Sequence, residues 1–173
     1  MNYEQKRDLA IAPVCEGALI LIVSMAAWLS HQPLVFTSLG PTAYEMIETP
    51  HRKSARVYNI IVGHLIAVVA GFVALVITHA WRVPAVSTRN IQFPRVEAAV
   101  LSAALTVFLT LWARATQPAA LSTTLLISLG TMQQWRDILV IMAAVLLMTL
   151  AGEPLRRWRT RQIPNEETAK KSG

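Results

Sequence analysis

The sequence predicts an all-α polytopic membrane protein, and two observations carry that prediction. The 173 residues are 54% hydrophobic with a mean hydropathy of +0.44, and only 15% are charged, whereas soluble domains of this length are less apolar and more charged. The apolar residues also gather into four segments long enough to cross a bilayer as helices. We therefore expect one membrane domain over residues 1–161.

The four predicted spans cover residues 9–30, 57–80, 96–113 and 135–152. A span needs about 20 mostly apolar residues, so the fourth, which is the shortest, must stand nearly upright or be extended by its flanks. Five tryptophans support these boundaries, because amphipathic rings prefer the headgroup level at span ends: Trp28, Trp81, Trp112, Trp135 and Trp158. Residues 162–173 have no apolar pattern and are predicted to form a disordered cytoplasmic tail.

Lysine and arginine predict the orientation. Four spans place both termini and the middle loop, residues 86–90 included, on one side of the membrane. Nine basic residues near the spans lie on that side: Lys6, Arg7, Arg82, Arg89, Arg95, Arg156, Arg157, Arg159 and Arg161. The other side holds five: Arg52, Lys53, Arg56, Arg114 and Arg136. Basic residues favour the cytoplasm, so we expect both termini inside, in a bacterial inner membrane, and no nucleic-acid partner for the net charge of +6.

Two short segments, residues 33–48 and 118–130, resemble each other. Each follows a span and precedes a span. Gln-Pro begins both, at residues 32–33 and 117–118, and a hydroxyl pair follows at the same offset, Thr37-Ser38 and Ser122-Thr123. The similarity predicts an internal two-fold repeat of the kind found in transporters, with chance likeness among apolar residues as the alternative.

Both segments are predicted to be re-entrant or broken helices that end inside the membrane. As a helix, residues 34–47 would measure about 21 Å, against about 30 Å of hydrocarbon, and Gly40 interrupts them. Pro41 and Pro118 favour helix starts, and a helix N-terminus suits an anion. Six hydroxyls are predicted either to line a polar site or to join helices: Thr37, Ser38, Thr42, Ser122, Thr123 and Thr124.

The second predicted span carries two polar residues, Asn59 and His64. Intramembrane ionisable groups are costly and often functional, so His64 is predicted to bond an anion or to titrate during transport; the alternative is a bond to a neighbouring helix. Small residues Gly63, Ala67 and Gly71 form one face that permits close packing, within the protomer or in a homo-oligomer. Glu97, at a span start, is predicted to complement the helix dipole.

These residues resemble the HPP family of integral membrane proteins. The stretch "SLGPTA" at residues 38–43 is similar to the family's Ser-Phe-Gly-Ala-Ser/Thr-Ala, and Asn59, Gly63 and His64 fit its Asn-x-x-Gly-Gly-His helix start. The naming His-Pro-Pro triplet is Gln-Pro-Ala here, at residues 117–119. The resemblance covers about residues 16–152 and implies four spans and a link to nitrite transport.

The predicted function is therefore a transporter or channel for a small inorganic anion, most of all nitrite. Its predicted substrate-binding residues are Ser38, Gly40, Thr42, Asn59, His64, Pro118, Ser122 and Thr123. Two alternatives stay open. One is a transporter of a neutral or cationic solute that uses acidic side chains within the membrane, and the other is a non-transporting interaction subunit. No His pair at metal spacing, phosphate loop or nucleophile with a base is present, so we expect no enzyme, metal or cofactor. The lone Cys15 excludes an intrachain disulfide.

Overall fold

The computed structural model describes residues 3–87 and 90–163, with side chains from residue 8 onward. This part of the chain forms six α-helices, two 3-10 turns (Lys53–Ala55 and Ala80–Arg82) and no strand, so the all-α prediction is confirmed. The helices are α1 Tyr3–Ser30, α2 Leu39–Glu48, α3 Val57–Ile77, α4 Phe93–Trp112, α5 Ala119–Ser128 and α6 Trp135–Gln162. Most of the predicted tail lies outside the described residues.

Four helices, α1, α3, α4 and α6, are long and apolar enough to cross a membrane. The last of them continues past its predicted end at residue 152 to Gln162. Glu153 holds the added turns together, because its carboxylate bonds Arg156 and Arg157 at 2.7 Å, the spacing at which opposite charges support a helix. The charged residues after residue 152, which set the end of the predicted span, therefore stabilise the continuation of α6.

Contacts among the helix ends show that the start of α1, the end of α2 and the end of α6 lie together. Arg159, near the end of α6, bonds Asp8 in α1 and the carbonyl of Ile47 in α2. Arg156 bonds the carbonyl of Pro50, shortly before α3. We call this side of the bundle the terminal end, and α3 begins there.

The opposite side, which we call the loop end, holds the connection between α3 and α4. Arg95, at the start of α4, bonds the carbonyls of Val83 and of Ser128, the last residue of α5. Phe72, late in α3, stacks on Trp135, the first residue of α6. The end of α3, the start of α4, the end of α5 and the start of α6 therefore lie at the loop end.

The predicted placement of the middle loop beside the termini is therefore wrong. Residues 31–48 return the chain from the end of α1 to the terminal end, and residues 113–128 cross in the opposite direction. A ten-residue helix rises about 15 Å, and the eight non-helical residues 31–38 reach up to about 26 Å. Together they span the bundle, so the short segments are broken crossings and not re-entrant loops.

The two halves of the chain run in opposite directions. The first, α1 to α3, starts at the terminal end, and the second, α4 to α6, starts at the loop end. Because each half crosses three times, the second is inverted relative to the first, an arrangement typical of transporters. Ser38 and Thr123, which the sequence matched between the two segments, meet at 2.8 Å where the halves join. The geometry agrees with the predicted two-fold repeat.

The small-residue face of α3 packs against α5 of the same chain. A Cβ on Gly63 would lie 2.7 Å from the Cβ of Gln117, and one on Gly71 would lie 2.9 Å from the Cβ of Ile127. Ala67 between them is fully buried. Since α5 covers this face, the predicted homo-oligomer through it is wrong, and the packing is within the protomer.

Candidate functional site

Four polar side chains form one hydrogen-bonded cluster, the hydroxyl–histidine cluster. His64 Nδ1 lies 2.8 Å from Thr123 Oγ1, and His64 Nε2 lies 3.2 Å from Thr42 Oγ1. Thr123 Oγ1 also contacts Ser38 Oγ at 2.8 Å, and Thr42 Oγ1 donates to the Ser38 carbonyl at 2.8 Å. All four residues are fully buried. The cluster thus joins both short helices to α3.

Local sequence explains how these side chains meet. Ser38 is the N-cap residue of α2, and Thr42 follows one turn later on the same helix face. Thr123 lies in the second turn of α5, which approaches α3 closely at Gly63, the residue before His64. His64 is the eighth residue of α3, so the cluster lies about 10 Å along that helix from the terminal end.

The two short helices end at opposite sides of the bundle, and a buried arginine meets each C-terminus. Arg159 donates to the Ile47 carbonyl of α2 at 3.1 Å, and Arg95 donates to the Ser128 carbonyl of α5 at 3.0 Å. Both arginines are fully buried. Each satisfies a carbonyl that the helix leaves free and complements the negative end of its dipole. The positive N-terminal ends of α2 and α5 consequently point inward, toward the cluster.

Further buried polar groups near the cluster have no hydrogen-bond partner. The hydroxyl of Thr124 is unbonded, and the amide of Gln117, which touches Gly63, lies near the Glu45 carboxyl but outside good hydrogen-bond geometry. The Glu45 carboxyl, one turn beyond Thr42, lies beside the Gln117 amide and has one buried oxygen without a partner. An unsatisfied buried polar group costs about 1–3 kcal/mol, so a polar ligand or water would be stabilised here.

The structure brings four of the eight predicted site residues together and leaves four outside the cluster. Asn59 instead donates to the Thr116 carbonyl at 3.1 Å and holds the segment before α5. Gly40 is exposed, with no neighbour within 4 Å of a Cβ built on it. Pro118 is an exposed N-cap of α5, and Ser122 is half-buried. A substrate-binding role for all eight stays a prediction.

Sequence reasoning missed Arg95 and Arg159, which it used only as charges that set the orientation. Their carbonyl partners at the short-helix ends lie 33 and 112 residues away in the chain. The available signal was the position of Arg95 directly after Pro94, at the start of an apolar span, where an uncompensated charge is costly.

The cluster is closed to solvent in this conformation. Two surface grooves at the terminal end are lined by other residues: one lies between α3 and α6, and the other between α1 and α2. Neither groove contains Ser38, Thr42, His64 or Thr123. An ion from solution reaches the cluster only if the short helices move.

A family model described as "HPP, transmembrane region" matches residues 4–164. This chain belongs to the HPP family. Apart from Tyr3, the first residue of α1, all six helices lie within the matched HPP region, and membership establishes a membrane protein of transporter-like architecture. Searches of curated proteins and of solved structures gave no match. In this HPP protein Gln117, the first residue of the altered triplet, lies against α3 beside the cluster.

Proposed function

We propose that this HPP protein is a transporter or channel for a small inorganic anion, with nitrite as the foremost substrate. One observation carries the proposal: α2, α3 and α5 meet in a buried cluster of hydroxyls and an imidazole that includes Ser38, the N-cap residue of α2. Helix N-termini bind anions through free N–H groups and the dipole. Transporters of inverted-repeat architecture use such half-helix ends for anionic groups near the middle of the bilayer.

A desolvated anion needs several donors at once. Ser38, Thr42 and Thr123 bring three hydroxyls together with the His64 imidazole, and these groups would exchange their mutual bonds for bonds to the ion. A hydrogen bond to a charged partner contributes about 1.5–3 kcal/mol. Loss of one donor therefore weakens binding roughly tenfold to hundredfold.

The distribution of basic residues supports cytoplasmic termini in a bacterial inner membrane. Among the side chains that the structure describes, eight basic ones lie at the terminal end: Arg52, Lys53, Arg56, Arg114, Arg156, Arg157, Arg159 and Arg161. Three of the described basic side chains lie at the loop end: Arg82, Arg95 and Arg136. The difference in the number of basic residues between the two ends is larger than the sequence alone suggested, because the broken crossings put residues 52–56 and 114 beside the termini. Basic residues favour the cytoplasmic side.

Nitrite uptake into proteoliposomes tests the proposed function, with formate, nitrate and chloride as competitors. We expect Ser38→Ala, Thr123→Val and His64→Leu each to reduce uptake about tenfold or more. Glu97→Gln is the control, because Glu97 is exposed at the start of α4 and its loss leaves the cluster intact. Wild-type uptake by all three well-expressed cluster variants would place the anion path elsewhere.

A cationic or neutral solute is the second candidate, and Glu45 favours it. The Glu45 carboxyl has a buried, unbonded oxygen beside the Gln117 amide, a pair of groups that suits a cation or an amide-like solute. Reversal potentials in planar bilayers separate the candidates, since an anion and a cation shift the potential in opposite directions. Absence of any flux would favour a non-transporting interaction subunit.

A further inference from the structure

The number of protons available in the hydroxyl–histidine cluster determines whether one ring nitrogen of His64, Nε2, is protonated. The Thr42 hydroxyl has a single proton, and its contact with the Ser38 carbonyl uses that proton, because a carbonyl only accepts. Thr42 Oγ1 must therefore accept in its contact with His64 Nε2. It follows that Nε2 carries a proton, and only Nδ1 is free to change.

With neutral His64 the cluster uses every proton internally. The Nδ1 lone pair accepts from the Thr123 hydroxyl. In the structure Thr123 Oγ1 donates to Ser38 Oγ, but both groups are hydroxyls and either can donate. With neutral His64, Thr123 has no proton left, so the direction of this contact reverses and Ser38 donates. No side-chain proton of these four residues remains for a ligand.

Protonation of Nδ1 reverses this chain. Nδ1–H then donates to Thr123, the Thr123 hydroxyl turns to donate to Ser38, and the Ser38 proton is released. The released donor belongs to the N-cap residue of α2, where the helix dipole already favours negative charge. One proton therefore creates a positive charge and a free donor at the same place.

We propose that His64 is the proton-binding residue of a coupled cycle in which one proton moves with each monovalent anion. The inference rests on the proposed anion function and adds the coupling ion. An unpaired charge within a membrane is unfavourable, so the imidazolium and the anion stabilise one another and neither is favoured alone. The proton binds the Nδ1 lone pair and leaves from it, no covalent bond between heavy atoms changes, and the transported pair has no net charge.

On the helices around His64, the other charged groups lie outside the cluster, so the proton-binding role falls to the histidine. On α2, Glu45 lies between the cluster and the terminal end. On α4, Arg95 and Glu97 lie at the loop end, and α5 has no charged residue. On α6, the charged groups lie at its two ends, with Arg136 and Asp137 first and Glu153 onward last. Among the described residues, the side-chain partners of His64 are the hydroxyls of Thr42 and Thr123.

The test measures nitrite uptake and lumenal pH together in proteoliposomes that contain a pH dye. For the wild type we expect an acid exterior to accelerate uptake and the lumen to acidify in step with nitrite entry. A membrane potential imposed without a pH gradient should leave uptake unchanged, because the cycle is electroneutral. Protein-free vesicles give the passive passage of nitrous acid, which is subtracted.

His64→Gln is the decisive variant, because a glutamine amide keeps one donor and one acceptor but does not take up a proton. We expect a folded protein whose gradient-driven uptake falls at least about tenfold. His79→Gln, at an exposed position beyond α3, is the matched control and should behave as wild type.

Two results would overturn the coupling and leave the anion function standing. They are wild-type nitrite uptake without lumenal acidification, and undiminished gradient-driven uptake by His64→Gln. Absence of nitrite uptake by the wild type at every pH would overturn the proposed function, and the coupling with it.

Discussion

Arg95 makes four hydrogen bonds from a fully buried position. Its acceptors are the carbonyls of Val83, Pro84 and Ser128 and the side-chain oxygen of Gln133. Gly130 stands against the guanidinium at a φ of +90°, where a Cβ would lie 2.6 Å from Nη2. A residue with a side chain would be strained there and would displace Arg95. The arginine therefore holds the α3–α4 connection, the end of α5 and the α5–α6 connection together at the loop end.

We expect Arg95→Leu to lower the melting temperature in detergent by at least about 5 °C. The substitution leaves buried carbonyls without a donor, at about 1–3 kcal/mol for each group that water does not reach. Arg82→Leu is the matched control: Arg82 is exposed and only stacks over Trp81, at 5.2 Å from the ring centroid. Equal melting temperatures for the two variants would show that the buried bonds of Arg95 contribute little.

Sequence alone pointed to Ser38, Thr42, His64 and Thr123, since polar groups in an apolar chain need partners inside the protein. Apart from the local bond between Thr42 and Ser38, their mutual bonds join residues 22 to 85 positions apart, and no local pattern encodes such distances. The repeat supplied the one useful clue, because it matched Ser38 with Thr123 before the structure brought them into contact. Gly40, Pro118 and Ser122 shared the motifs but lie outside the cluster.

At the scale of elements, α3 and α5 depend on two glycines for their close approach. We expect Gly71→Ala to reduce the yield of folded protein and its melting temperature, because the new methyl would meet Ile127 at 2.9 Å, closer than carbon atoms pack. Gly63→Leu should be worse, since it displaces Gln117 from beside the cluster.

Gly17→Ala makes the same chemical change on α1, where nothing lies within 4 Å of the added carbon. It should be neutral or slightly stabilising, because alanine favours a helix over glycine. If Gly71→Ala behaved like Gly17→Ala on heating and on size exclusion, close packing at Gly71 would not be needed.

The short segments show where element-level prediction failed. Their helical parts, Leu39–Glu48 and Ala119–Ser128, agree in place with the predicted segments. The prediction used the rise of a helix, about 1.5 Å per residue; an extended residue advances about twice as far. The non-helical residues 31–38 therefore supply the missing length, and apolar pattern alone does not reveal which part of a segment is extended.

For the whole molecule, the broken crossings make a topological prediction that cysteine labelling tests. In a Cys15→Ser background, an impermeant thiol reagent added outside should label Ser87→Cys, at the loop end, in intact cells. Lys53→Cys, exposed at the terminal end, should react only after the membrane is opened. Labelling of both positions from one side would contradict the broken crossings, and the reverse pattern would invert the proposed orientation.

At this largest scale, the four long helices followed from hydropathy and the family from its motifs. The inversion of the second half did not, because it depends on whether each short segment crosses. If both segments cross instead of being re-entrant, both termini stay on one side, while the middle loop moves to the other side and residues 52–56 and 114 move beside the termini. Counting basic residues could not separate the two arrangements, since nine against five already favoured cytoplasmic termini.

Under the proposed transport function, the inverted halves also bear on how the protein alternates its access. If each half adopts the conformation of the other, the inward-facing form becomes the outward-facing form, and no separate gate is required on either side. Two forms related in this way have similar free energies, so both are populated and neither traps the cargo. The direction of net movement would then follow the gradients across the membrane, and the sequence differences between the halves would only adjust the resting balance.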